Sequence, residues 1–99
     1  MVVVLIRTQV RADADHAAYD ALGDRMDAIV RTIPGFVSST GYTSADGDAI
    51  SLIRFASHEA LRAWRDHPEH AEAQRRGKAE FYASYEVEVC EVTRAYAFP

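Results

Sequence analysis

Between Val2 and Val10 the chain is dominated by β-branched and aliphatic residues and contains neither Gly nor Pro, the pattern of a strand covered on both faces near its start. The apolar spacing then lengthens. Tyr19, Leu22, Met26, Ile29, Val30 and Ile33 recur at three- and four-residue steps, which makes one apolar stripe on a helix, and Asp13 is placed to cap it. Pro34-Gly35 ends that helix, and Phe36 opens an extended run to about Thr43. Asp46-Gly47 separates this run from another, Ala49 to Ala56. Asp-Gly between extended segments predicts a hairpin, because Gly accepts positive φ cheaply.

In the second half Ser57 is an N-cap for a helix from His58 to Asp66, with Ala60, Leu61 and Trp64 on its buried side. Pro68 restarts the chain as the first residue of a helical stretch reaching about Ser84. Tyr85 to Phe98 is predicted as a long final strand. Its apolar residues fall on both parities, Val87 and Val89 against Cys90 and Val92, which requires either a bulge or coverage of both faces, and coverage is expected. The order β-α-β-β-α-β predicts one α+β domain over residues 1–99, a ferredoxin-like four-stranded antiparallel sheet with helices on one face. Val3 beside Val4 and Ile50 beside Ile53 make the opposite face apolar as well, and nothing in the chain remains to cover it. A second copy, sheet against sheet, is the economical cover, so a homodimer is expected.

Composition narrows the functional classes. A content of 48% apolar and 26% charged residues is that of a globular protein. The net charge of -4, with Arg interleaved among Asp and Glu, argues against a nucleic-acid partner. Cys90, the one cysteine, lies in an apolar run and can form neither an internal disulfide nor a thiolate metal site. Met1 to Ile6 lacks the basic start and cleavage site of a leader, and no segment approaches the roughly 20 apolar residues of a membrane span. A cytoplasmic location, with no membrane partner, is expected.

No glycine-rich phosphate loop, nucleophile elbow or cysteine pair is present, and His67 and His70 lack a third ligand at metalloprotease spacing. What remains is the stretch from Trp64 to Gln74. On a helix begun at Pro68, His70, Gln74, Gly77 and Phe81 share the face turned to the sheet. That stripe is too polar, and at Gly77 too small, for a filled core, and it predicts a cavity wall. His70 is then either a half-buried histidine bonded to a backbone carbonyl or a catalytic or ligand-binding group. His67, just before Pro68, is a cap or a surface residue before it is a ligand contact. Trp64 can serve core and pocket together. Tyr82, Tyr85 and Tyr96 read first as core or interface, and Arg75, Arg76 and Lys78 as a solvated helix face.

The run Trp64-x-x-His67-Pro68-Glu69-His70-x-x-Ala73-Gln74, followed by Gly77, Phe81-Tyr82, Tyr85, Glu91-Val92 and Arg94, resembles the antibiotic biosynthesis monooxygenase family of dimeric α+β barrels. Pro34-Gly35-Phe36 and Phe55 before Ser57 fit the same pattern. The resemblance implies the ferredoxin-like protomer and its dimer, and two chemistries. One is cofactor-free oxidation of aromatic polyketides or quinols by molecular oxygen around a Trp, which Trp64 matches. His70 stands where those oxygenases have Tyr, and Ala60 where they have Asn, so deprotonation has to be arranged differently here. The other is haem binding or degradation with an axial His nine or ten residues past the Trp, where this chain has Ala73 and Gln74, so the haem reading loses its ligand unless His70 substitutes from a turn earlier. The expected activity is therefore a monooxygenase without cofactor acting on an aromatic small molecule. His70 is its base and Trp64 a catalytic wall, with Gln74, Phe81, Tyr82 and His67 as substrate contacts. A haem protein and a non-catalytic ligand-binding dimer are the alternatives.

Overall fold

The computed structural model describes residues 1–99. Its elements are β1 (Val2–Val10), α1 (His16–Val30), β2 (Phe36–Thr43), β3 (Ala49–Phe55), α2 (His58–Arg65), α3 (Pro68–Arg76), a single π-helical turn (Gly77–Phe81) and β4 (Tyr82–Glu91). The strands form one antiparallel sheet in the order β2-β3-β1-β4, the ferredoxin-like arrangement expected from the element order. The hairpin between β2 and β3 turns at Gly47, whose φ is 89°. The Ser57 hydroxyl accepts from the Ala60 N–H at 3.1 Å, and Pro68 opens α3.

Three boundaries differ from the sequence reading. The cap of α1 is Asp15, whose carboxylate accepts from the Ala18 N–H at 3.0 Å. Asp13 lies two residues too early, because the chain leaving β1 first closes a turn between the Ala14 N–H and the Arg11 carbonyl, and Asp13 faces Arg11 instead. The helical stretch after Pro68 ends at Phe81, not near Ser84. Arg11 stops it there: its N–H donates to the Phe81 carbonyl at 2.8 Å and its guanidinium to the Glu80 carbonyl at 2.6 Å, a cation on the last free carbonyls of a helix. The final strand runs Tyr82–Glu91 and does not reach Phe98. It lies at the sheet edge with β1 as its one partner, so once Glu91 stands opposite Val2 only a last bond from the Val92 N–H to the Met1 carbonyl remains.

Residues paired across neighbouring strands share a face. Val2, Val4, Ile6 and Thr8 of β1, with Ser51, Ile53 and Phe55 of β3, point to the helices, while Val3, Leu5, Ile50 and Leu52 point away. Val4, Ile29, Val30, Phe55, Ala60 and Trp64 form the core between sheet and helices, and the Phe36 and Phe55 rings meet edge to face at 6.3 Å. Coverage of β4 on both faces, expected from its mixed parity, is not realised within the chain. Val87 and Val89 point to the helix side but stay 50% and 52% exposed, because the helical layer stops short of this edge strand, and Cys90 on the other face is exposed too. A bulge does exist, at an earlier place: the β1–β4 register slips between Gln9 and Val10, so that Ser84 pairs with Gln9 and Tyr82 with Val10. No helix is long and apolar enough to cross a membrane.

Candidate functional site

Between α1, the helix side of the sheet and the α2–α3 corner lies a cavity of about 630 Å³, within the range of small-molecule sites. Its floor is Ile6 and Thr8 of β1, Ser51 and Ile53 of β3, and Ser39 and Gly41 of β2. One wall is the Tyr19-to-Val30 stretch of α1, and the end wall is Trp64, His70, Ala73, Gln74 and Tyr82.

Trp64 and His70 form the chemical centre of that end wall. The break between α2 and α3, made by Pro68, folds the two helices so that the His70 ring stacks on the Trp64 indole at 4.3 Å between centroids and 30° between planes. Trp64 itself is only 6% exposed and belongs to the core. His70 Nδ1 faces the Arg65 carbonyl at 3.4 Å, and since a carbonyl can only accept, that nitrogen carries the proton of the neutral ring. Nε2 is then the acceptor, and the Gln74 amide N–H donates to it at 3.4 Å. Both contacts are long, leaving Nε2 accessible to a stronger donor. Burial lowers the His70 pKa, the Arg65 carbonyl opposes this, and a charge on His67 adds to the lowering, so the ring is neutral at neutral pH.

The bulge in β4 decides Tyr82. Strict alternation back from Tyr85 would turn Tyr82 to the far face, and the slipped register at Gln9 and Val10 turns it into the cavity. The Gly77 position supports the ring from behind. A Cβ there would sit 2.6 Å from Tyr82 Cζ and 2.9 Å from its hydroxyl, so the space that a missing side chain leaves is occupied by Tyr82 rather than open as cavity. Burial raises the pKa of both Tyr82 and Tyr19, and each stays a protonated phenol able to donate. Gly77→Ala is expected to displace the Tyr82 ring and cost about 1–3 kcal/mol, the usual effect of overpacking, measurable by urea unfolding.

Thus Trp64, His70, Gln74 and Tyr82 come together at one wall. His67 and Phe81 do not reach it. His67 caps α3, its Nδ1 accepting from the Glu69 N–H at 3.1 Å, and lies beyond Trp64 at 6.2 Å between ring centroids. Phe81 is fully buried behind the wall, where its ring meets Tyr19 edge to face at 5.6 Å. The sequence reading missed the floor hydroxyls Thr8, Ser39 and Ser51 and the α1 carboxylates Asp20, Asp24 and Asp27. The strand residues leave only a weak signal, polar positions on the parity that carries Ile6 and Ile53. The carboxylates leave none, since they read as an ordinary solvated helix face. No group of three or more His, Cys, Asp or Glu side chains is arranged to hold a metal ion.

With this geometry in hand, the relatives are informative. The YqjZ protein of Bacillus subtilis (strain 168), itself uncharacterized, is 32% identical over 94 residues, covering 95% of this chain and 82% of its own. Rv0793 from Mycobacterium tuberculosis superposes with a TM-score of 0.84 at 28% identity, over 97% of this chain and 98% of its own. SnoaB, a cofactor-independent oxygenase from Streptomyces nogalater, shares the fold with a TM-score of 0.77 at 19% identity, over 95% of this chain and 94% of its own. Residues 1–76, which include β1 through α3 and so both Trp64 and His70, match the family model of antibiotic biosynthesis monooxygenases, and the chain belongs to that family.

Proposed function

We propose that the chain is a cofactor-independent monooxygenase that oxidises an aromatic phenol or quinol with O₂ in the cavity beside Trp64. One observation carries this reading: His70 presents an acceptor nitrogen at a cavity wall while stacked on a buried indole. A phenol entering the slot gives its proton to His70 Nε2, displacing the weak Gln74 contact. The phenolate is electron-rich enough to pass one electron to O₂. Recombination of the ring radical with superoxide forms a C–O bond at a ring C–H carbon, and the imidazolium returns its proton to the peroxide. Loss of the C–H proton with departure of hydroxide breaks the O–O bond and leaves a quinone. One O₂ is consumed, one oxygen atom stays in the product and the other leaves as water. The protein supplies the base, the flat apolar wall and shelter from bulk water. Gln74 and Tyr82 are the proposed hydrogen-bond donors to substrate oxygens.

An oxygen electrode with a naphthol or hydroquinone substrate tests the proposal. The expected result is uptake faster than in protein-free buffer, with labelled oxygen from O₂ in the product and no stoichiometric hydrogen peroxide. Uptake at the protein-free rate across such substrates overturns it. At the positions that the family resemblance gives to a haem's axial ligand stand Ala73, a buried methyl group, and Gln74, an amide engaged with His70; His70 is the one imidazole on the cavity wall, and the oxygenase reading gives its Nε2 to the substrate phenol.

The same reading includes assembly as a homodimer through the far face of the sheet. Val3, Leu5, Ile50 and Leu52 adjoin there with no helix over them, and a facing copy would remove them from water. Light scattering is expected to give twice the 11.0 kDa chain mass. Leu5→Glu, which places a carboxylate at the centre of the face, is expected to give the single chain. A wild-type protein that stays at the chain mass at high concentration removes the dimer.

A further inference from the structure

Thr8 is 7% exposed, lies on the cavity floor, and its hydroxyl takes no part in any hydrogen bond within the chain. The hydroxyl oxygen is not sealed from solvent, and a donor and acceptor left open toward a cavity is a place for a ligand atom. On the helix wall, across from the sheet floor, Asp20 and Asp24 line the same cavity yet are solvent-exposed, so they stand at its mouth. They occupy one face of α1 at a four-residue spacing, and neither has a cationic partner. The third carboxylate, Asp27, is paired with Arg31 at 2.8 Å. Arg25, the other cation of this helix, is held by Glu69 at 2.9 Å and does not line the cavity. No Lys or Arg lines it, and His70, its one basic group, is neutral. A ligand whose ring oxygen reaches Thr8 and whose outer edge faces α1 therefore places its outer substituent in a negative potential.

We infer that the cavity selects by charge at its mouth. It accepts hydroxylated aromatics that are neutral or carry a protonated amine on the outward edge, prefers the amine, and rejects the carboxylated counterpart. The inference rests on the cavity being the ligand site, as proposed above, and not on oxygen chemistry taking place there.

Calorimetric titration separates the two. Three naphthols are compared that differ only in an aminomethyl, hydroxymethyl or carboxylate substituent distal to the phenol. At low ionic strength the aminomethyl compound is expected to bind on the order of tenfold more tightly than the carboxylate, with the neutral compound between them, and the spread to narrow at high salt. In Asp20→Asn/Asp24→Asn the amine and carboxylate affinities are expected to converge on that of the neutral compound, whose own affinity does not change. Thr8→Val, which keeps the shape and removes the hydroxyl, is expected to weaken all three equally. Equal affinities in the wild type, or a preference that survives the double Asn variant, overturn the charge selection while leaving the oxygenase proposal standing. Selective binding without oxygen uptake does the reverse. No binding of the neutral compound overturns both.

Discussion

His70→Ala is expected to lower kcat/KM for a quinol or naphthol by about 10²- to 10⁴-fold, the usual contribution of a positioned general base. The loss should fall mainly on kcat, because the Trp64 wall and the sheet floor still bind the ring. His70 is half-buried and stacked on one side only, so the variant keeps the core cluster, and far-UV circular dichroism should be unchanged. The pH profile gives an independent reading. A base works when neutral, and burial holds the His70 pKa below its ordinary 6.5. Activity should therefore be present above that ordinary value and lost as pH falls through the lower folded-state pKa, with the acid limb missing in the variant. Because the unfolded chain takes up this proton first, stability follows the same direction. Full turnover by His70→Ala would falsify the assignment.

Trp64→Ala carries the largest stability effect among the site residues. Its indole belongs to the core cluster of Val4, Ile29, Val30, Phe55 and Ala60, and removing a buried ring of this size costs about 3–5 kcal/mol. Domains are stable by only about 5–15 kcal/mol, so a substantial part of the fold's margin goes with it. Urea unfolding followed by circular dichroism measures the change, since the only tryptophan is gone. Trp64→Phe separates structure from binding: it restores most of the buried area and less of the wall against which His70 lies. It is expected to recover much of the stability while KM remains raised. If Trp64→Phe matches the wild type in both, the indole has no special role in the site.

How much of this was legible depended on distance along the chain. The strand runs, the Asp46-Gly47 turn, the Ser57 cap and the Pro68 restart are each written in a few adjacent residues, because backbone dihedral preference and side-chain periodicity act locally. Trp64, His70 and Gln74 could be grouped for the same reason, lying on one helical corner. The miscapped α1 shows the limit even of local reading: Asp13 and Asp15 are both good caps, and the turn closed on Arg11 chose between them.

Elsewhere the deciding partner is remote. Arg11, about seventy residues away, ends the helical stretch before β4, and β4 itself ends where β1 begins. The slipped register opposite Gln9 and Val10 turns Tyr82 into the cavity, an orientation that no pattern within Tyr82–Glu91 reveals. Likewise His67 became a cap and Phe81 a buried support, although helical spacing had put Phe81 on the same face as His70.

From its order of residues alone the chain specifies a ferredoxin-like protomer, its apolar far face and the Trp64–His70 corner, since each follows from periodicity and breaker residues acting over a few positions. Cavity depth, the unpaired Thr8 hydroxyl on its floor and the carboxylates at its mouth arise only when α1 is laid across three strands. They are properties of the space between elements, and the register and packing that set that space are determined by contacts tens of residues apart.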